Sequence, residues 1–436
     1  MQEKQKIAGV NRNVFFLGLV SFFNDFSAEM VQSVMPLFLT TVLKAPAAAV
    51  GIIEGTADAL ASVLKLFSGW LSDRVRKRKS LAIVGYAISV AVRPFLALAT
   101  AFSQVFALRV VDRIGKGIRD APRDALLAES VSREELGRSF GFHRSMDTLG
   151  ATVGPLFAFF ALGFLNNDYR ALFLIAFVIG IGALFSFFFV QEPKERASEG
   201  HSQRQSLDWQ LFRTHKRFVL VVFSIFIFGL GTLPIALVLL KANEAGFGGA
   251  KFPLVYFIYN FTFVLTAIPL GKFADVIGER VIIAAGFLAA ACAYFGLAGA
   301  YDPLSLVLFF LLLGLYSAAT DGLTRVLAVK AVPRELLATG QGFMNMAIGF
   351  SSLGAGIIGG LLWTNYSSAA ALHYAGVFSL LGFGLFLFMT SNHIFTPLDP
   401  KSFGLETGDG KRISLKPNKS PARRGGDLTG FTSRHG

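Results

Sequence analysis

Long apolar runs, each ended by a short polar stretch, recur along the chain from residue 14 to residue 391. Read as helices they give twelve spans, at about 14–43, 47–71, 80–101, 103–127, 138–163, 171–190, 217–240, 250–273, 280–299, 304–329, 338–363 and 370–391. Each is long enough for a hydrocarbon layer roughly 30 Å thick. The pattern predicts an all-α integral membrane protein with a polar start over 1–12. A first group of spans fills 13–190, and the longest internal polar stretch, 191–216, reads as a linker to a second group over 217–392. Residues 393–436 are rich in Gly, Ser, Pro, Lys and Arg, and that composition predicts a disordered tail. The tail is either simply solvated or a surface for lipid or a partner.

The charge of the loops alternates. One set carries Lys4, Lys6 and Arg12, the run Arg74 to Lys79, Arg133 and Arg138, the cations of 194–217, then Lys272, Arg280 and Arg334. The other set is short and holds Lys44, Arg170, Lys241 and Lys251. Cation-rich loops stay on the cytoplasmic side, so both termini are expected there, in a bacterial inner membrane or an organelle membrane derived from it. Composition agrees with a bilayer as solvent: 53% of residues are hydrophobic and 16% charged, where a soluble domain carries about a quarter charged. Mean hydropathy is +0.56. The formal net charge of +13 therefore belongs to the loops and the tail, and nucleic acid is not an expected partner. Cys292 is the one cysteine, which excludes a disulfide within the chain and a cysteine-based metal site. No cleavable signal peptide is apparent. No nucleophile–base signature, P-loop or zincin motif occurs, so neither an enzyme nor a cofactor is expected.

The two groups of spans repeat one another. Gly69-Trp-Leu-Ser-Asp73-Arg74, followed by Arg76 to Lys79, returns as Gly271-Lys-Phe-Ala-Asp275 with Gly278 and Arg280, an offset of 202 residues. The stretch from Val131 to Phe142 aligns without a gap with Val332 to Phe343. Two parallel repeats imply a pseudo-two-fold axis along the membrane normal and a site between the halves.

These residues resemble the major facilitator superfamily of secondary transporters over about 12–392. Gly69, Leu71, Asp73, Arg74, Lys77 and Arg78 fit the family's loop motif after the second span, with Arg76 at the usual glycine. The fifth span resembles the antiporter motif through Gly141, Gly150, Gly154 and Pro155, with Ala158 and Phe159 at its final glycines. In the fourth span Gly115, Gly117 and Pro122 fit the family pattern, but Val111 stands where an arginine is usual, with Arg109 or Arg113 as its substitute. The resemblance implies twelve helices in two pseudo-symmetric six-helix bundles, alternating access, a monomer, and a cavity lined by the first, fourth, seventh and tenth spans, hence by Asp25 and Arg113. The charged fourth span and acid-bearing first two spans also resemble bacterial members such as the MFS-type proteins of magnetosome membranes, thought to move iron.

Ionisable groups inside spans are costly and mark function by default. Asp25 and Glu29 lie one turn apart in the first span, and Glu54, Asp58 and Lys65 share a face of the second. Arg109, Asp112, Arg113 and Lys116 form a stripe on the fourth, and Arg144 and Asp147 lie on the fifth. At about 1.5 Å per residue, Asp25, Asp58, Arg113 and Asp147 fall near one depth at the midplane. One reading is a proton or cation relay beside a substrate cavity, built from Asp25, Glu29, Glu54, Asp58, Arg109, Asp112, Arg113 and Asp147. The other is a set of fixed ion pairs that hold helices together. Arg93 reads as snorkelling or paired, and His143 as structural. The second half is sparser, with Asn260, Asp321, Arg325 and Asn345, which suggests coupling chemistry in the first half and substrate shape in the second. Phe228, Tyr256, Tyr259 and Tyr316 are candidate lining aromatics, though more often such residues face core or lipid.

Three functions follow. The four carboxylates of the first two spans offer hard oxygen ligands for a metal cation such as iron. The partial antiporter motif fits a proton-coupled exporter of small organic molecules. A non-transporting sensor or scaffold is the third. For gating, the repeat predicts two ion pairs, Asp73–Arg123 and Asp275–Arg325, each 202 residues from its counterpart, with Arg119 in reserve. They would latch the cytoplasmic face when the cavity opens outward, with Gly69, Arg74 and Gly271 in the same turns.

Overall fold

The structure, a computed structural model, describes residues 6–7, 9–75, 78–132, 135–192, 216–330 and 337–391, with side chains described except at 65–75, 216–217, 328–330, 337–339 and 389–391. Backbone polar groups find no water inside a bilayer and must bond within their own segment, and the apolar runs accordingly fold as long helices. The first six are α1 (Arg12–Leu37), α2 (Ala47–Val75), α3 (Arg78–Leu98), α4 (Phe102–Glu129), α5 (Leu136–Phe164) and α6 (Tyr169–Ser186). Then come α7 (Lys216–Gly231), α8 (Ile235–Glu244), α9 (Phe252–Ile277), α10 (Glu279–Ala298), α11 (Pro303–Lys330), α12 (Leu337–Asn365) and α13 (Ser368–Ser391). Eleven spans carry an 18-residue window apolar enough to cross a membrane. The twelfth is α4, whose charges keep it off that tally.

Three details depart from the apolar pattern. The seventh span is two helices, the second opened by Pro234, which has no N–H to donate and suits a helix start. The chain stops at Gly231 and restarts on Pro234, whose carbonyl accepts from the Leu237 N–H at 2.9 Å. The first span ends in a π turn, Phe38–Val42, after Pro36. The all-α body is also preceded by a short extended pair. Lys6–Ile7 (β1) and Val10–Asn11 (β2) form a small antiparallel hairpin, turned at Gly9 with φ of +76° and tied to the fifth span by a Lys6–Glu135 ion pair at 3.1 Å.

In the first half α1 packs on α5 and α6, α3 on α4 and α6, and α2 on α4. In the second, α10 packs on α11 and α13, α9 on α11, and α7 on α12 and α13. Close helix approach needs small residues, and glycine supplies it. On α5, a Cβ at Gly150 would lie 2.4 Å from the Phe22 carbonyl oxygen, and one at Gly154 2.6 Å from that of Phe26. Gly141, expected to pack in the same way, has open space around it, because it is exposed on the face of α5 opposite Gly150, while its neighbour Phe142 packs on Gly18 of α1.

Two seams join the halves, α2 on α12 and α5 on α9. Along the first, Gly51 meets Gly356, Gly55 meets Ser352, and Gly360 meets Ala48. The Ala48 N–H donates to Thr364 Oγ1 at 2.9 Å. On the second, Gly249 beside the start of α9 lies against Asn167. All these contacts lie towards the face remote from the start of α1, called here the far face. Nearer the start of α1, Gly349 still lies against Ser62 and Ala59. At the near face itself, where α1 begins, a Cβ at Gly271 or Gly322 would meet no described residue within 4 Å, and Asp275 is exposed. Among the described residues the glycine contacts between the halves thus gather towards the far face.

Candidate functional site

A cavity of about 250 Å³ lies where the seams end. Five carboxylates line it, Asp25, Glu29, Glu54, Asp58 and Asp112, beside five cations, Arg93, Arg109, Arg113, Lys116 and Arg119. Asn24, Gln32, Tyr256 and the restart of the seventh span, Pro234 to Ala236, complete the wall. The local sequence explains the convergence. Positions three and four apart share one helix face, so α4 turns 109, 112, 113, 116 and 119 to one side, while α1 does the same with 25, 29 and 32. Turned to lipid, such a stripe would be expelled from the membrane. Turned inward, acids and bases neutralise one another.

Hydrogen bonds divide the wall into three groups. In the first, Arg109 Nη2 donates to both Glu54 oxygens at 2.9 and 2.8 Å and to Gln32 Oε1 at 2.6 Å. Gln32 Nε2 returns a bond to Glu54 at 3.2 Å, and Asp112 lies 3.7 Å from Arg109 and 3.9 Å from Arg113. In the second, two cavity carboxylates accept bonds from the other half of the protein. The Tyr256 hydroxyl of α9 donates to Glu29 at 2.8 Å, and the Ser352 hydroxyl of α12 donates to Asp58 at 2.9 Å. In the third, Asn24 is the hub. Its Nδ2 donates to Asp25 at 2.8 Å, and its Oδ1 accepts from Arg93 and from Arg119, each at 3.2 Å. Arg119 also lies over the Tyr86 ring, 4.4 Å from its centroid.

Seven of the eight relay candidates thus line the cavity. The eighth, Asp147, faces Asp25 from α5 and pairs with Arg144 at 2.9 Å, outside the lining. His143 is buried and shares a bond of 2.9 Å with Ser21. Of the two gating pairs, Asp73–Arg123 involves a side chain outside those described, and Asp275–Arg325 is not seen among the described residues. Arg325 bonds Asp321, one turn back on its own helix, at 2.9 Å, and Asp275 is exposed. Arg123 bonds Asp124 at 2.9 Å and lies 3.9 Å from Asp120. The side chains of Lys65, Gly69, Asp73 and Arg74 lie outside those described.

The sequence pattern did not select Asn24, Gln32 or Ser352, and it set Arg93 and Tyr256 aside. Asn24 and Gln32 stand on the Asp25–Glu29 side of α1, the one available signal. Of the four aromatics considered, only Tyr256 reaches the cavity. Phe228 stacks on Phe287, and the Tyr259 hydroxyl bonds Ser317 at 2.8 Å.

The chain matches the Major Facilitator Superfamily in two overlapping stretches, residues 17–347 and 235–420. An uncharacterized MFS-type transporter of Methanocaldococcus jannaschii is 29% identical over 386 residues, spanning 87% of this chain and 95% of the relative. Among solved structures, a variant of the nucleoside transporter NupG superposes with a TM-score of 0.75 at 15% identity, covering 86% of this chain and 99% of that one. A POT family transporter bound to a thioalcohol-conjugated peptide gives 0.74 at 13% identity, covering 89% and 98%. At such identities the likeness is one of fold.

Proposed function

The chain belongs to the major facilitator superfamily, and from that premise we propose a proton-coupled carrier that moves a small organic solute by alternating access. The charged cavity is its solute site, and Asp25 is the carboxylate that takes and gives the proton. The observation that carries this reading is the pair of bonds across the halves, Tyr256 to Glu29 and Ser352 to Asp58. A hydroxyl bond to a carboxylate weakens when the carboxylate loses its charge or engages another donor. A proton or solute arriving in the cavity therefore loosens what ties α9 and α12 to α1 and α2. Among the described residues Asp25 has no partner in the second half and lies between Asn24 and Asp147, so it changes charge without breaking a described seam directly.

The metal-cation reading, and with it iron and the magnetosome resemblance, has less support. Each of the four carboxylates already accepts a bond from a protein donor. Among the described residues no three of His, Cys, Asp and Glu converge as a ligand set. A sensor or scaffold would have no use for a balanced charge cluster facing an open cavity. The near face is assigned to the cytoplasm, from the loop charges, in a bacterial inner membrane or one derived from it, and the working unit is a monomer.

Flux in vesicles with an imposed pH gradient tests this. Dye flux should follow the gradient, and labelled iron should not. Asp25→Asn should lose gradient-driven flux while keeping membrane abundance, and Asp58→Asn should slow turnover. Parental flux in both variants would remove the proposal, and loss of abundance together with flux would return both residues to a structural role.

A further inference from the structure

Two cations of the cavity wall are held in a way that the other charges are not. Arg93 and Arg119 are 3% and 6% exposed, and both direct a guanidinium nitrogen at the same neutral oxygen, Asn24 Oδ1. Arg93 gives its second bond to the Asn24 backbone carbonyl at 3.2 Å. Among the described residues, Arg93 Nη1 and Arg119 Nε have no hydrogen-bond partner, which is equally true of Arg109 Nε and Arg113 Nε, and Arg93 Nη1 lies against Gly180 of α6. What sets Arg93 and Arg119 apart is that their hydrogen bonds go to a neutral amide. The nearest ion-pair contact of Arg119 is Asp120 at 3.5 Å, and Arg93 makes none within 4.0 Å among the described residues. The protein treats its other deeply buried arginine differently, since Arg109 receives both oxygens of Glu54. Two guanidinium groups gathered on one amide repel each other in a low dielectric. Asn24 has a dipole but no charge to offer them.

The geometry points to an oxyanion subsite: the solute presents a carboxylate, phosphate or similar group to Arg93 and Arg119, with Asn24 setting their spacing. This rests on reading the cavity as the solute site. The planar fork of a guanidinium matches two oxygens of such a group, which an ammonium cannot do. Lys116, on the same face of α4 and also on the cavity wall, adds a third positive charge. Asp25, bonded to Asn24 Nδ2, is the carboxylate closest to the hub. A proton on Asp25 leaves the two arginines without that neighbouring negative charge, so proton and anion would enter together.

Equilibrium binding tests the subsite without flux. The detergent-purified full chain is melted in rising phosphate, sulfate or succinate at constant ionic strength against chloride, with uridine as the neutral comparison. A ligand that binds only the folded state raises Tm saturably. The parent should show such a rise with at least one oxyanion and a smaller one with uridine. Arg93→Gln and Arg119→Gln should raise the half-saturating concentration at least about tenfold. Lys6→Gln, far from the cavity, should leave it unchanged. If the Gln variants fail to fold, Arg119→Lys keeps the charge but not the fork, and should still bind more weakly. No saturable rise in the parent, unchanged half-saturation in the arginine variants, or a response to uridine alone would overturn the subsite. A rise with phosphatidylglycerol in mixed micelles but with no soluble oxyanion would assign the arginines to a lipid headgroup and overturn the solute assignment. A negative result leaves proton-coupled transport standing, and a failed flux assay leaves the binding result standing.

Discussion

Gly51→Leu should arrest the carrier with its far face open. On α2 a Cβ at Gly51 would sit 2.1 Å from the Gly356 carbonyl oxygen, and one at Gly356 would sit 2.2 Å from the Gly51 oxygen. No rotamer relieves a clash between a Cβ and a facing backbone, so α2 and α12 must separate. Overpacking in a fixed core costs about 1–3 kcal/mol and occasionally more, and a clash with backbone belongs at the upper end. A cost of about 2.8 kcal/mol is a hundredfold in an equilibrium constant. It falls only on states in which the seam is closed, because parted helices leave room for the side chain. Cysteines at Ala48 and Thr364, whose backbone N and Oγ1 lie 2.9 Å apart, report seam closure once Cys292 is replaced by Ser. The parent should cross-link readily, Gly51→Leu at least about tenfold more slowly, and transport should fall by a similar factor with abundance kept. Gly163→Leu, in open space on α5, should change neither. Equal cross-linking in Gly51→Leu and the parent would dismiss the seam as the far gate.

The same seam marks where a sequence pattern stops being informative. Hydropathy places the helices because the bilayer leaves the backbone no other solution. Charge periodicity turns the α4 stripe inward, because lipid tolerates it on no other face. Both constraints are local, and both were legible. Pairing across the molecule is not local. Nothing within α2 says that Glu54 meets Arg109 while Asp58 meets Ser352, nearly three hundred residues away. Asn24 looked like a neighbour of Asp25, whereas it binds two arginines from two other helices. Arg93, just before Pro94, read as snorkelling or paired; it is 3% exposed and bonds Asn24 inside the protein. The gating pairs raise a different difficulty. Asp275 and Arg325 were matched by symmetry, but symmetry does not say in which state of a two-state carrier they meet, and here Arg325 bonds Asp321 instead. Pro234 was a weak signal, because Pro36, Pro94, Pro122, Pro155 and Pro269 all lie inside continuous helices, and a proline in an apolar run does not by itself mark the division of the seventh span.

Glu54→Gln and Arg109→Gln, combined, should restore most of what either removes alone. The sequence placed both residues in a relay, but their geometry is that of a closed ion pair. The two side chains are 5% and 7% exposed, and their nearest approach is 2.8 Å. Gln32 bonds both partners, so both Glu54 oxygens and Arg109 Nη2 are engaged within the protein. Removing one member of a buried pair leaves an uncompensated charge and costs about 3–5 kcal/mol. Replacing both by neutral groups of similar shape is often close to neutral. Each single variant should therefore lose folded protein sharply, visible as reduced membrane abundance and early thermal aggregation in detergent. The double variant should approach the parent, because the two introduced amides can bond each other and Gln32. A relay predicts otherwise, because two amides cannot carry a proton, and flux in the double variant would then stay as low as in the worse single one. Recovery of abundance together with flux assigns Glu54 and Arg109 to the framework of the cavity. Recovery of abundance without flux would return them to the transport chemistry, beside Asp25.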